Sequence, residues 1–443
     1  MRIRLFFILA ALLVGLTAPS MAQLTAPTTH IEVAQLPPAG VASFDVEKAV
    51  NGYMARQSSK DKAKSDAYFE GGYVLQLVDL VYGLAIAALL LWGGLSSRMR
   101  AIAASVTGRR FWQAPIYVAL YMVLSTVLSL PMIIYEGFLR EHHYGLSNQN
   151  FSQWSGEFAI NFAVQIVASV VLLTVLYSAA RAAKRAWWIW GAAITVVFMA
   201  FFIMVAPVYI APLTNHYSKL PDSGLRNAIL SVARANDIPA QNVYLFDASK
   251  QSNRISANVS GLFGTTRISL NDNLLNRSTP SEVLAVLGHE MGHYVMNHVI
   301  NMVICLGLLI LIGFWFVDKT FYGLISIFGG KWNINAIDDP AGLPLVMALI
   351  SIFFFLATPL TNTMVRSQEI QADIFGLNAV RQPDAFATAA LKLGEYRKLS
   401  PTPLEEIIFF DHPSGRTRIR EAMRWKAEHL NDPDIMAGPI SPQ

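Results

Sequence analysis

Six runs of the chain, residues 73–95, 114–138, 158–179, 187–210, 299–317 and 343–360, are almost purely apolar. The hydrocarbon core of a bilayer is roughly 30 Å thick and takes about 20 helical residues to cross. Inside it no water satisfies backbone N–H and C=O groups, so each run must be helical and packed against its neighbours. The pattern excludes an ordinary soluble protein and predicts a mainly α, polytopic membrane helix bundle. Composition agrees, since 53% of the 443 residues are hydrophobic and only 14% charged, against roughly 25% charged in soluble chains.

The first residues, MRIRLFFILAALLVGLTAPSMAQ, join a basic start at Arg2 and Arg4 to a short apolar core and small residues at Ser20 and Ala22. That is the pattern of a secretory signal peptide over residues 1–22. The bundle then has six spans, or seven if the segment stays attached as an anchor. Residues 23–70, rich in Pro, Thr, Ser and Lys, read as an exported segment without a core of its own. Residues 71–211 read as an N-terminal four-span membrane domain, 212–425 as a mixed domain containing the last two spans, and 426–443 as a C-terminal tail.

Lys and Arg collect in cytoplasmic loops. Arg98, Arg100, Arg109 and Arg110 follow the first span, and Arg181, Lys184 and Arg185 follow the third. The intervening loop, REHHYGLSNQNFSQWSGE, is poorer in positive charge. Counting on from these loops places residues 212–298 and the C-terminal segment outside the cytoplasm, and an export signal at the N-terminus places them there too. The expected location is a bacterial-type inner membrane, with the polar domain facing the periplasm.

The net charge of +4 is small for this length, and the basic residues of the short loops between spans form no nucleic-acid patch, which fits membrane lipid as a partner and no nucleic acid. The single Cys305 lies within an apolar run, so no disulfide framework or cysteine metal site is expected. The pattern sets no oligomeric state.

Between the fourth and fifth spans the composition turns polar. GLRNAILSVARANDI spaces Leu225, Ile229, Leu230 and Val232 as one face of a helix. NVYLFDAS and TRISLND are short β-rich runs of a small sheet. At RSTPSEVLAV, Thr279 as cap, Pro280 at the first helical position and Glu282 three residues after the cap form a capping box.

The helix started there carries His289, Glu290 and His293. Histidines four apart stand on one helical face about one turn apart and can grip a single ion. Glu290 falls beside them, where a carboxylate can take a proton from an activated water. A catalytic zinc takes three protein ligands, so a third donor is required on the same side of the membrane. Two spans later the chain returns to that side as NTMVRSQEIQADIFG, with Glu369 and Asp373 four apart and Arg366 beside them.

EVLAVLGHEMGHYVMNH together with RSQEIQAD resembles the integral-membrane CAAX prenyl protease family, zinc peptidases of the HExxH-plus-Glu type. EHHYGLSNQ, IAPLTNHYSKL, GLFGTTRISLNDNLL and HPSGRTRI resemble further stretches of that family, in its order, over residues 70–425. The resemblance implies an α bundle with a small α+β zinc metallopeptidase domain, one zinc ion and a polypeptide substrate. It implies His289, His293 and Glu369 as zinc ligands, Glu290 as general base and Asp373 as the carboxylate behind a histidine ligand. His412 is matched to the catalytic residue that stabilises the oxyanion, and Arg418 to one that binds the substrate chain. The family's Asn-Ala-Tyr is here Ser256-Ala257-Asn258, and Asn258 is assigned to substrate binding. Eukaryotic members face the cytosol, whereas this chain is oriented outward, so CAAX processing is not implied; extended or misfolded membrane and envelope polypeptides are.

His298, five after His293, lacks ligand spacing and is placed at the membrane boundary, while His142 and His143 are placed in an external loop; none is assigned to the metal. Two other readings compete: a zinc-binding membrane transporter and an inactive protease-like scaffold. Transport calls for ionisable residues within several spans, and the clearest here is Asp79, near a span end. An intact Glu290 argues against the scaffold.

Overall fold

The structure is a computed structural model that describes residues 44–261 and 266–436. The signal peptide expected over 1–22 lies outside the described residues, as do 23–43 of the exported segment and 437–443 of the C-terminal tail.

Among the described residues, five helical stretches are long and apolar enough to cross a membrane: Ser59–Trp92, Arg110–His143, Phe151–Leu213, His298–Trp332 and Pro340–Val380. The third has 63 residues and would measure about 95 Å if straight, far more than a bilayer core. It is broken at Lys184, whose φ of 38° no α-helix accommodates. Its parts, Phe151–Ala183 and Trp187–Val205, fold back on each other. The chain is therefore a multi-pass membrane protein, and its described residues provide helices for the six expected crossings.

The ends of the bundle are distinct. Arg100, in the first basic loop, pairs with Asp339 and donates to the Asn333 carbonyl at 2.9 Å in the turn between the last two spans. At the opposite end, Asn148 donates to the Ser249 carbonyl at 2.8 Å and Glu141 pairs with Arg254 at 2.7 Å. The basic loop and the mixed domain thus lie at opposite ends, as the charge pattern expects.

The mixed domain holds a four-stranded sheet in the order β1-β2-β4-β3, from Tyr217–Lys219 (β1), Val243–Phe246 (β2), Ala257–Ser260 (β3) and Arg267–Asn271 (β4). β2 and β4 run parallel, and the outer strands pair antiparallel to them. Helix Gly224–Ala235 and helix Pro280–Val295, hereafter the motif helix, bury Ile229, Leu287 and Met291 against Val243, Ile268 and Leu270 of the sheet. The motif helix opens on the expected capping box, with Thr279 accepting from the Glu282 N–H and Glu282 accepting from the Thr279 N–H.

Residues 44–70, expected as part of a coreless tail, are largely helical. Helix Val46–Met54 lays Val50 and Tyr53 against Ile419, Met423 and Phe386 of the C-terminal region. Tyr53 also donates to Asp384 at 2.7 Å. The segment has no core of its own because it completes that of the C-terminal helices.

Candidate active site

Two helices meet at the site. The motif helix carries the HExxH residues, and the return helix, Leu343–Val380, carries Glu369 and Asp373. The return helix has 38 residues, about 57 Å at 1.5 Å per residue. It crosses the membrane and then continues some five turns beyond, lifting its carboxylates to the level of the histidines.

The helices can approach because the contact is lined with small residues. A Cβ on Gly292 would meet Ala372 Cα at 3.0 Å, and one on Gly376 would meet the His289 backbone nitrogen at 2.8 Å. Gly288 and Gly292 on one helix face Ala372 and Gly376 on the other, each pair four apart, the spacing that lets helix backbones pack closely.

This contact brings His289, His293 and Glu369 together, with one ligand atom of each within 4.8 Å of the others. The two Nε2 atoms are 3.1 Å apart. Glu369 Oε2 lies 3.2 Å from His289 Nε2 and Oε1 3.3 Å from His293 Nε2. Tetrahedral donors about 2.05 Å from a zinc ion would stand roughly 3.3 Å apart. Glu369 Oε2 is buried and accepts no hydrogen bond from the described residues, as suits an atom kept for a cation. Burial opposes charge on His289, but Glu369 and Asp373 outweigh it and push its pKa up to about 10. The site therefore draws positive charge into a buried place.

Asp373 accepts from His289 Nδ1 at 2.6 Å, which leaves Nε2 free to ligate. Arg418, on the helix Gly415–Glu428, donates from Nε to Asp373 Oδ2 at 2.8 Å and also reaches Oδ1. His412 places Nε2 3.4 Å from Glu369 Oε2, and its Nδ1 donates to Asp411 at 2.8 Å. The loop bearing His412 is tied to the return helix, since Arg366 donates to the Glu406 carbonyl at 2.7 Å and Asn362 to the Ile408 carbonyl at 2.7 Å. From the first span, Tyr73 stacks on Phe409 with ring centroids 3.9 Å apart.

A cavity of about 160 Å³ opens at this point, lined by His289, Glu290, Glu369, His412 and Arg418. Burial raises the pKa of Glu290. Ser256 and Ala257 line the cavity from the β3 edge. Asn258 pairs with Ser269 in the sheet and lies outside the lining. Tyr396 and Arg397 form a wall that sequence reasoning missed; they follow a helix end with no spacing relation to the motif. Asp411 was also missed, though its place beside His412 was a visible signal.

A metal-competent HExxH helix, closed by a carboxylate from a membrane-crossing helix, defines a membrane-embedded metalloprotease. Residues 219–426 match the model of peptidase family M48, and residues 47–216 match that of the CAAX prenyl protease N-terminal region, described as five membrane helices. The chain is 30% identical over 335 residues to YhfN of Bacillus subtilis, an uncharacterized metalloprotease, covering 75% of this chain and 78% of that one. It is 27% identical over 326 residues to CAAX prenyl protease 1 of Saccharomyces cerevisiae, covering 69% and 71%. The crystal structure of S. mikatae Ste24p shares the fold, with a TM-score of 0.70 at 21% identity over 85% of this chain and 94% of that one. The chain belongs to peptidase family M48, together with the CAAX prenyl proteases.

Proposed function

We propose that the chain is a zinc-dependent endopeptidase of a bacterial-type inner membrane, with its site toward the periplasm and extended or misfolded membrane and envelope polypeptides as substrates. The spacing of the His289, His293 and Glu369 donor atoms, 3.1 to 3.3 Å, carries this reading. A zinc ion held there would polarise the scissile carbonyl and make a water nucleophilic at neutral pH.

The protein's own groups supply the rest. Glu290, on the cavity wall, takes the proton of the attacking water and delivers it to the leaving amine. His412 has Nδ1 engaged by Asp411, so its ring when protonated donates from Nε2 toward the oxygen on which charge develops. Arg418 borders the substrate space and holds Asp373 ionised, which keeps His289 in its ligating tautomer. Among the described residues β3 has a single strand neighbour, and its first residue, Ala257, lines the cavity. An extended substrate can add there by backbone hydrogen bonding, with Asn258 available along the same strand.

Replacing Glu290 with Gln should lower casein cleavage by at least ~10²-fold with zinc content unchanged; retained turnover would refute the assignment. The basic loops at the far end of the bundle support the outward orientation. A reporter fused after Gln443 that worked only in the cytoplasm would reverse it.

A further inference from the structure

His298 follows His293 by five positions. On a straight helix that turns it about 140° away. The helix is not straight: the motif helix ends at Val295, Asn297 adopts a left-handed φ of 55°, and a new helix starts at His298. The kink brings His298 back, 1% exposed, with its Nδ1 2.9 Å from His293 Nδ1. Its Nε2 lies 3.1 Å from Gln371 Oε1 on the return helix.

Two imidazole nitrogens at that distance must share one proton, because two lone pairs or two N–H groups would repel. His293 turns Nε2 toward His289 and Glu369, so as a neutral ligand it carries its proton on Nδ1. His298 Nδ1 must then accept, and its proton sits on Nε2, facing the Gln371 carbonyl oxygen. Each assignment forces the next.

We propose that His298 and Gln371 form a neutral relay that holds His293 in its metal-ligating tautomer and orientation. His298 is thus a positioning residue for the second histidine, as Asp373 is for the first. The inference rests on the zinc reading above.

The test uses the full chain in detergent, with zinc affinity measured by competition against a chromophoric chelator, alongside thermal unfolding. His298→Leu removes the acceptor and should raise the zinc Kd by about 10–100-fold. His298→Asn, whose carbonyl can stand in for Nδ1, should recover most of the loss. Gln371→Leu, at an exposed position that leaves the core intact, should weaken zinc in the same direction. Gln371→Glu, which can only accept from Nε2, should not. A Kd within twofold of wild type for both His298→Leu and Gln371→Leu would overturn the relay. Loss of affinity that His298→Asn does not restore, with unfolding shifted equally in both His298 variants, would reduce His298 to a packing group and also overturn it. Wild-type protein that binds no zinc would instead remove the metal reading, and the relay with it.

Discussion

Replacing Gly376 with Ala tests whether close approach of two helices sets the metal geometry. The added Cβ would stand 2.8 Å from the His289 backbone nitrogen, 3.1 Å from Gly288 C and 3.2 Å from His289 Cα. All three are backbone atoms of the motif helix, so no side chain can swing aside. Restoring an ordinary 3.4 Å contact moves the helices apart by roughly 0.6 Å, and the return helix carries Glu369 with it. Metal–ligand distances tolerate about 0.2 Å, and a 1 Å misplacement costs about 10²-fold in rate. The variant should lose about 10–100-fold in kcat/KM, about 1.4–2.7 kcal/mol, and bind zinc about 10–100-fold more weakly. Alanine's better helix propensity, about 1 kcal/mol, offsets part of the clash, so thermal unfolding should shift little. Gly288→Ala is the control: its nearest contact is the rotatable Val380 Cγ2 at 2.5 Å, though the Gly376 backbone lies at 3.3 Å, and it should lose less than about tenfold. The readouts are casein turnover and zinc content of purified protein. Turnover and zinc content of Gly376→Ala within twofold of wild type would refute the reasoning.

Asp373→Ala should weaken zinc by about 10–100-fold; because it also strands the buried Arg418 guanidinium, stability should fall by about 3–5 kcal/mol, measured by thermal unfolding. Tyr53→Phe removes the bond to Asp384 and should lower stability by about 1 kcal/mol without changing turnover; an unchanged Tm would mean the N-terminal helix contributes nothing through this contact. Incubation with 1,10-phenanthroline should abolish casein cleavage and added zinc restore it, with Tm rising as zinc is titrated in; full activity after chelation would exclude metal dependence.

The spans and the motif helix were legible because their signals are local and periodic. Twenty apolar residues or a Thr279–Glu282 capping box needs no distant partner. β1 and β3 escape sequence reading, since Tyr217–Lys219 and Ala257–Ser260 lie in no β-rich run like NVYLFDAS and are defined by pairing. Helix Val46–Met54 was read as tail because its burial depends on a surface near the other end of the chain. The His289, His293 and Glu369 grouping could be anticipated, as spacing and the membrane hairpin both pointed to it. His298 was set aside by the same spacing rule, which assumes an unbroken helix and so misses the turn made at Asn297. Tyr396 and Arg397 reach the cavity through tertiary folding that no local pattern encodes.

The return helix also has a consequence for biogenesis. His289 and His293 are synthesised first, on a helix packed against the sheet, whereas Glu369 lies past the last span on the return helix. The third donor reaches the histidines only after the final hairpin has entered the bilayer and its helix has docked through Gly376 and Ala372. A chain stalled at any earlier stage has the two imidazoles and Glu290 but lacks the Glu369 carboxylate that closes the donor set. If these three groups hold the metal, as proposed, completing its shell requires completing membrane insertion, and a half-inserted chain would be inert toward its neighbours and toward itself.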